Sequence, residues 1–524
     1  MVRKIAAAAI AALFVPVVQA AGWEKLWTFE HGAATSVAGQ TSEILAFDSL
    51  NNELWVGGLK GVDILNAATG SFVQHIDTTA FGELNSVAIR NGVAAFAIAA
   101  PIKTDAGSVL TYDTTSRSFQ QSYLVGALPD MVTFTADGRI MTANEGEPLA
   151  RPGFETIEQR GSISIIDTTK DSVTTLGFAG YDGTTGLGRI VTPGAKPSID
   201  WEPEYIALSK DGQFAMVTLQ EANAVAKIDL MSQQIVSVTS LGLKDHSLPG
   251  NELDTSDRDG PGNSQLAGNY RNAPVFGMYM PDAIASYASG GKTYYITANE
   301  GDSRNLQDFV PGEFNEEVRV GSSSYKLDPT VFPDAAALKA NSNFGRLVVS
   351  TSSGDIDGDG DYDEIHVFGG RSFSILDENG NQVFDSGNQL EALLYANPAL
   401  RALIDDGRSD NKGVEPEGVT VLELGDRTLA FIGFERTFDS VIAIYDVTNP
   451  TAATFVDFIV DAESNAVEGL TAYEFGGRYF LATANEGTGT TSLFSITPVP
   501  EPETYAMLLA GLGLIGLAAR RRRG

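Results

Sequence analysis

Ile206-Ala207-Leu208-Ser209, a turn at Asp211-Gly212, then Phe214-Ala215-Met216-Val217-Thr218 closing on Gln220-Glu221: this stretch decides the fold. It reads as an apolar strand, a two-residue turn, a second apolar strand and an acidic corner. The pattern returns at Met131 to Phe134, with a turn at Asp137-Gly138 and an end in Thr142-Ala143-Asn144-Glu145. Two more copies turn at Gly290-Gly291 and Gly476-Gly477 and end in Asn299-Glu300 and Asn485-Glu486. Three others turn at Asn51-Asn52, Asn91-Gly92 and Gly425-Asp426. Asn, Asp and Gly tolerate the positive φ that two-residue hairpins require, so matching turns in seven copies are a hairpin signal with a mechanism.

A third strand follows each corner, as in Val62 to Asn66, Gly161 to Asp167, Ala224 to Asp229 and Val441 to Asp446. A fourth follows at Phe72 to Ile76, Ser172 to Phe178, Ile235 to Leu241 and Phe455 to Val460. Four antiparallel strands repeated radially make a β-propeller blade. Ile44, Val87, Val132, Ile206, Ile284, Val419 and Leu470 mark the first strands, and the first two spacings are 43 and 45 residues. The expected fold is an all-β, seven-bladed β-propeller over 22–498, with long insertions on one face. The last copy lacks a fourth strand after Ser492 to Thr497. Glu24 to Phe29 is predicted to supply it and close the ring, leaving no long unpaired edge.

The 524 residues carry a formal net charge of -32 and are 43% hydrophobic, enough for a large core. That charge argues against nucleic acid and anionic membrane surfaces, and for cations or basic partners. A solvated acidic surface that keeps an extracellular protein soluble accounts for it equally well. With no cysteine there is neither disulfide nor thiol chemistry, and four histidines (31, 75, 246, 366) make a His-rich metal site a poor expectation.

Both ends read as targeting segments. Arg3-Lys4, an apolar run from Ile5 to Val18 and Val18-Gln19-Ala20 form a secretory signal peptide over 1–20. At the other end, 499–524 holds Val499-Pro500-Glu501-Pro502, an apolar stretch from Tyr505 to Ala519 and the cluster Arg520 to Arg523. The stretch is shorter than the ~20 residues of a comfortable membrane span. In this order the three parts resemble the PEP-CTERM sorting signal. The resemblance implies export through the inner membrane of a Gram-negative bacterium and transient membrane contact through 505–519. It also implies processing by an exosortase, then delivery to the cell surface or extracellular matrix.

Blade topology places the loops between blades, and those from second to third strands, on one face. The insertions at 146–160, 180–201, 244–279, 301–363 and 388–414 all fall in these classes, so that face carries the candidate site. Before the first strands stand Pro129-Asp130, Glu202-Pro203-Glu204, Pro281-Asp282, Glu415-Pro416-Glu417 and Glu468. After the second strands stand Glu145, Glu221, Glu300, Glu435 and Glu486. Carboxylates gathered near an axis raise one another's pKa unless cations or arginines compensate. Arg304, Arg319, Arg371, Arg408, Lys412 and Arg436 lie in the same loops. The simpler reading has the acids bonding backbone N–H groups, and Asn144, Asn299 and Asn485 then read as turn residues.

Asp355-Ile356-Asp357-Gly358-Asp359-Gly360-Asp361-Tyr362-Asp363 puts oxygen ligands at alternate positions with Gly at the bends, which suits Ca²⁺. The EF-hand's twelfth position is His366 here, and Arg346 to Ser350 and Ile365 to Phe368 look like strands. The expectation is therefore a calcium-type turn in a hairpin rather than an EF-hand. Leu253 to Gly260, with Asp254, Asp257 and Asp259, reads as a weaker cation candidate or a solvated loop.

Several segments resemble the choice-of-anchor I family. They are Trp201-Glu202-Pro203-Glu204-Tyr205-Ile206, Met278 to Asp282, Thr297 to Arg304, Phe368 to Ile375 and Arg408 to Gly418. The likeness spans roughly Trp23 to Pro498. It implies an extracellular propeller-like protein, similar to mesenchyme-specific cell-surface glycoproteins linked to biomineralisation and likened to atypical alkaline phosphatases, with no settled activity. Where the family has Pro-Glu-Gly in the last blade, this chain has Val467-Glu468-Gly469.

Two functions compete at this stage. One is a calcium-binding display protein whose acidic face meets an extracellular ligand, a matrix component or a mineral ion. The other is a calcium-dependent phosphoesterase. There carboxylate-bound metal, with Glu204, Glu300 and Glu417 as candidate carboxylates, would activate water, and Arg304, Arg371, Arg408 or Arg436 would hold the phosphoryl oxygens. A serine nucleophile with His246 or His366 as base is a third option, but neither histidine sits in an elbow motif.

Overall fold

A computed structural model describes residues 22–33, 37–147, 160–305 and 314–497. The expected signal peptide, the sorting segment 499–524 and most of the insertion at 146–160 lie outside the described residues.

The chain is all-β and propeller-like. The described residues form seven four-stranded antiparallel sheets. The fourth shows the plan: Pro203–Leu208, Phe214–Leu219, Ala224–Asp229 and Gln234–Ser240 pair in chain order. Second and third strands are buried on both faces, which is why they read as unbroken apolar runs. The fourth strand alternates, since one side of it meets solvent. At the hairpin turns, Asn91 and Gly92 both take positive φ (49° and 84°), as do Gly290 and Gly291 (58° and 78°).

The first strands of successive sheets touch in chain order, and that of the seventh touches that of the first. Apolar clusters fill the spaces between neighbours. Trp55 and Phe96 join sheets one and two, Ile163 and Val217 join three and four, and Phe431 and Leu481 join six and seven. The seventh sheet is completed by Gly22–Glu30, which pairs antiparallel with Thr490–Thr497, as the missing fourth strand led us to expect. A polar latch marks this seam. Buried His31 sets Nδ1 2.7 Å from Asp63 Oδ2 and Nε2 2.9 Å from Thr491 Oγ1, tying the N-terminal strand to sheets one and seven.

The insertions at 244–279 and 301–363 build a second layer. Phe276–Met278 pairs with Leu243–Asp245 on one side and, in parallel, with His366–Phe368 on the other. Glu317–Arg319 pairs with Val348–Ser350. The expected hairpin around the aspartate loop is therefore not formed, because its two flanks belong to different sheets. The reason is apolar: Val275, Val320, Tyr325, Phe344, Val349 and Val367 share one buried cluster that neither insertion could close alone.

Candidate functional site

The site begins in local breaks of register in the first strands, four of which contain an acid; the fifth, in sheet two between Leu84 and Ser86, contains Asn85. In sheets three, four, six and seven the first strand slips between Pro129 and Met131, Pro203 and Ile206, Pro416 and Val419, and Val467 and Leu470. A bulge re-aims the residue it contains, here Asp130, Glu204, Glu417 and Glu468. In three of these corners the preceding residue takes positive φ: Leu128 50°, Glu415 51°, Ala466 52°. Its carbonyl accepts the N–H of the acid that ends the second strand: Glu145 at 2.8 Å, Glu435 at 3.0 Å, Glu486 at 2.8 Å. Ala466-Val467-Glu468 thus keeps the corner although proline is missing.

Asn144, Asn299 and Asn485 are fully buried pins and do not form turns. Asn144 Nδ2 donates to the hydroxyls of Ser162 and Ser164 (3.2 and 3.0 Å), and Asn299 Nδ2 to those of Ser372 and Ser374 (3.1 and 2.8 Å). Each pin fixes the second strand to the third just before the corner acid.

These corners enclose a cavity of about 600 Å³ where the seven first strands begin. One acid from the start of each lines it: Glu43, Glu83, Asp130, Glu204, Asp282, Glu417 and Glu468. Glu145, Glu300, Glu435, Glu486 and Asp302 bring the total to twelve, against three basic residues, Lys103, Lys412 and Arg436. Glu43 and Glu83 escaped the sequence reading. Neither follows a proline, and the only available signal was an acid just ahead of a first strand.

Burial, joined in most cases by repulsion from neighbouring acids, lifts several carboxyls in and just behind the lining. Glu43, Glu221 and Glu435 are each pushed up to about 7, Asp130 to about 6 and Glu468 to about 10. Glu145, Glu202, Glu204, Asp282 and Glu417 go well above the ordinary carboxylate range for the same reason. Oxygens come within 4.8 Å of one another in Asp130/Glu145/Glu204, Glu202/Glu204/Glu221, Glu300/Glu415/Glu435 and Glu417/Glu435/Glu468. Such sets of hard oxygens can hold a divalent cation.

The arginines do not converge. Arg436 lines the cavity and pairs with Glu435 at 2.6 Å. Arg408 Nε donates to Glu415 at 2.7 Å from outside it. Buried Arg304 sits behind the ring, 2.7 Å from Glu202 and 3.4 Å from Asp200. Arg371 donates to the carbonyls of Asp254 (3.1 Å), Ser409 (2.7 Å) and Asn411 (2.8 Å), away from the lining. Glu204, Glu300 and Glu417 all line the cavity.

Asp355, Asp357, Asp359, Asp361 and Asp363 stand apart, on a loop of the second layer. Asp355, Asp357 and Asp359 are exposed, with oxygens within 4.8 Å of one another. Gly358 and Gly360 take the positive φ the bends need (78° and 96°). Asp355 accepts the Gly358 and Gly360 N–H groups at 2.8 and 3.1 Å, and Asp363 accepts that of Ile356 at 2.8 Å, so the loop is already folded around its acids. Leu253 to Gly260 is no solvated loop: Asp254 and Asp257 are buried, and Asp257 receives Arg346 at 2.8 Å. His246 faces the Asn251 carbonyl (2.6 Å), burial pushes its pKa down to about 3, and His366 bonds Glu364 (2.7 Å). Neither histidine lines the cavity.

The profile of the Choice-of-anchor I domain matches residues 43–450, and that of the PEP-CTERM protein-sorting motif matches 498–523. The motif points to export, surface sorting in Gram-negative bacteria and processing by an exosortase at the C-terminus. No helix among the described residues is long and apolar enough to cross a membrane. The chain is 28% identical over 366 residues to the mesenchyme-specific cell surface glycoprotein of Strongylocentrotus purpuratus, covering 62% of this chain and 44% of that protein. It is 28% identical over 193 residues to Gigasin-3a of Magallana gigas, covering 30% of this chain and 68% of that one. The chain thus spans less than half the length of the sea-urchin relative. Among solved structures, the hydrazine synthase of Kuenenia stuttgartiensis is similar at TM-score 0.48 and 12% identity, over 87% of this chain and 96% of that one. The Myceliophteria thermophila Cps50 (Swd1) β-propeller domain is similar at 0.45 and 9%, over 90% and 100%.

Proposed function

This chain belongs to the choice-of-anchor I family, and from that premise we propose that it is a calcium-binding propeller of the cell surface that presents an acidic face to an extracellular ligand. In this reading the seven sheets are seven blades of one ring over 22–498, and residues 1–20 are the leader that exports it. Calcium is held by Asp355, Asp357, Asp359, Asp361 and Asp363, whose spacing and glycine bends suit an oxygen-only shell. The ligand is a matrix component, a small anion bridged through calcium, or a mineral ion.

One observation carries the reading: each of seven first strands delivers a carboxyl to a common cavity in which acids outnumber bases fourfold. Burying so many carboxyls together is costly, and divalent cations remove that cost. A phosphoesterase would need arginines free to clamp a phosphoryl group. Arg304 and Arg371 are instead held by buried partners.

Calorimetric titration of the mature protein with Ca²⁺ tests this. Saturable binding, weakened by Asp357→Asn with Asp359→Asn, is expected, together with no phosphomonoester turnover. Absence of calcium binding would overturn the reading, and turnover dependent on calcium would replace it with the enzyme.

A further inference from the structure

Two corners of the ring share one sequence, Glu202-Pro203-Glu204 in sheet four and Glu415-Pro416-Glu417 in sheet six, and one register break. Pro203 pairs with Leu219 and Pro416 with Phe434, so Gln220 is equivalent to Glu435, and Glu221 to Arg436. The preceding sheets supply Glu145 to the first corner and Glu300 to the second.

The charges around the two frames differ. In the sheet-six corner Lys412 places its ammonium on Glu300 and 3.1 Å from Glu415, Arg408 takes Glu415, and Arg436 takes Glu435. Each carboxyl of that triad meets a basic side chain from the same stretch of chain. In the sheet-four corner the position of Arg436 is itself an acid, Glu221. Arg304 pairs with Glu202 there and also favours the charged form of Glu221, and Lys103 favours that of Glu145. Among the described residues, Glu202 Oε1 and Glu221 Oε2 are buried there and accept no hydrogen bond; in the sheet-six corner Glu417 Oε2 is likewise without a donor, while Glu415 Oε2 has the Lys412 ammonium 3.1 Å away. Glu202 and Glu221 are 1% and 6% exposed. Both belong to a trio, with Glu204, whose oxygens lie within 4.8 Å of one another, and Glu204 also joins Asp130 and Glu145. A buried acceptor without a donor costs about 1–3 kcal/mol, more when charged, so once Glu202 and Glu221 are both ionised and have no proton to share, their facing oxygens call for a cation.

We propose that Glu202, Glu204 and Glu221, with Asp130 and Glu145 behind them, form a discrete divalent-cation site between sheets three and four, in the same corner frame that Lys412 fills with its own ammonium in sheet six. This rests on the reading of the protein as a calcium binder and adds a buried site separate from the aspartate loop. Its shell is all oxygen and mostly carboxylate, which favours Ca²⁺ over softer-ligand metals.

Ca²⁺ stoichiometry, measured by equilibrium dialysis of the full mature chain, tests it with three variants. Glu204→Gln removes a ligand at constant shape. Glu221→Arg copies Arg436 and supplies the guanidinium that the other corner already has. Asp357→Asn with Asp359→Asn disables only the loop. The proposal expects Glu204→Gln and Glu221→Arg each to lose one ion per chain, while the loop variant keeps that ion. It also expects an anomalous peak within the Glu202–Glu204–Glu221 trio in crystals of unmutated protein grown with Mn²⁺, a readout independent of variant folding. Calcium binding unchanged in both corner variants, or a trio without the peak, overturns this site but leaves the calcium reading standing. No calcium binding by unmutated protein overturns both.

Discussion

Arg436 and Glu221 occupy the same position of two equivalent corners, one residue past the acid or amide that faces the cavity, and carry opposite charge. Among the described residues, Lys412, Arg408 and Arg436 meet Glu300, Glu415 and Glu435 in the sheet-six corner, and Arg304 meets Glu202 in the sheet-four corner. Two near-identical corners thus differ by a few residues in the basic charge that meets their acids. That difference gives the first prediction.

The Lys412 side chain is 12% exposed between Glu300 and Glu415. Burial works against its charge, but the two carboxylates outweigh it and raise its pKa. Lys412→Met leaves both acids facing an apolar chain. Removing one partner of a buried pair costs about 3–5 kcal/mol. Urea unfolding in EDTA should show a loss of this size, and millimolar Ca²⁺ should restore part of it by filling the vacated corner. A loss that calcium does not reduce would mean that the corner cannot accept a metal ion.

Stability without cations should fall as pH rises. Burial holds Glu43, Glu221 and Glu435 at about 7 in the folded chain. Unfolded, a glutamate titrates near 4.3. The folded state therefore keeps protons that the unfolded chain has already lost. The stability this provides is complete below about pH 4 and is lost as pH climbs through about 7. Melting temperatures in EDTA should decline from pH 5 to pH 8, and saturating Ca²⁺ should flatten the decline. A flat profile in EDTA would contradict the raised carboxyls.

Arg371→Ala should cost stability without altering cation binding. Its guanidinium donates to three backbone carbonyls that join the insertions at 244–279 and 388–414. Its loss leaves buried acceptors unmet, at about 1–3 kcal/mol for each group left without a partner. Urea unfolding should register the change while Ca²⁺ stoichiometry by dialysis stays constant. A lower stoichiometry with unchanged stability would return Arg371 to the site.

Strand existence, hairpin turns and the N-terminal completion of the seventh sheet were legible because period-2 patterns and Asn-Gly, Asp-Gly or Gly-Gly turns are local signals. So was the gathering of Asp130, Glu204, Asp282 and Glu417, each announced by a proline next to an acid. Glu43 and Glu83 carry no such flag, and only the radial arrangement brings them in. The partners of the arginines were not legible, for the opposite reason. Arg304 and Arg371 share loops with the acids, but their partners come from other insertions far away in the chain, as with Arg304 against Asp200 and Arg371 against the Asp254 carbonyl. The buried core shared by the insertions 244–279 and 301–363 was likewise invisible, since its apolar residues are scattered and find one another only after both have folded back.

The N-terminal strand is the last test of the seventh sheet. Gly22–Glu30 pairs with Thr490–Thr497 across almost the whole chain, and Trp27 Nε1 also donates to the Ala67 carbonyl of sheet one at 3.0 Å. His31 continues the tie through Asp63 and Thr491. Deleting 22–31 uncovers the edge of Thr490–Thr497, whose inner residues Leu493 and Phe494 are buried. An exposed apolar edge is a template for pairing with another chain. The truncated protein should unfold at a lower urea concentration than its parent and self-associate in light scattering. Adding the peptide 22–31 in excess should reverse the association. A monomeric truncation of parental stability would show that the seventh sheet does not depend on its borrowed strand.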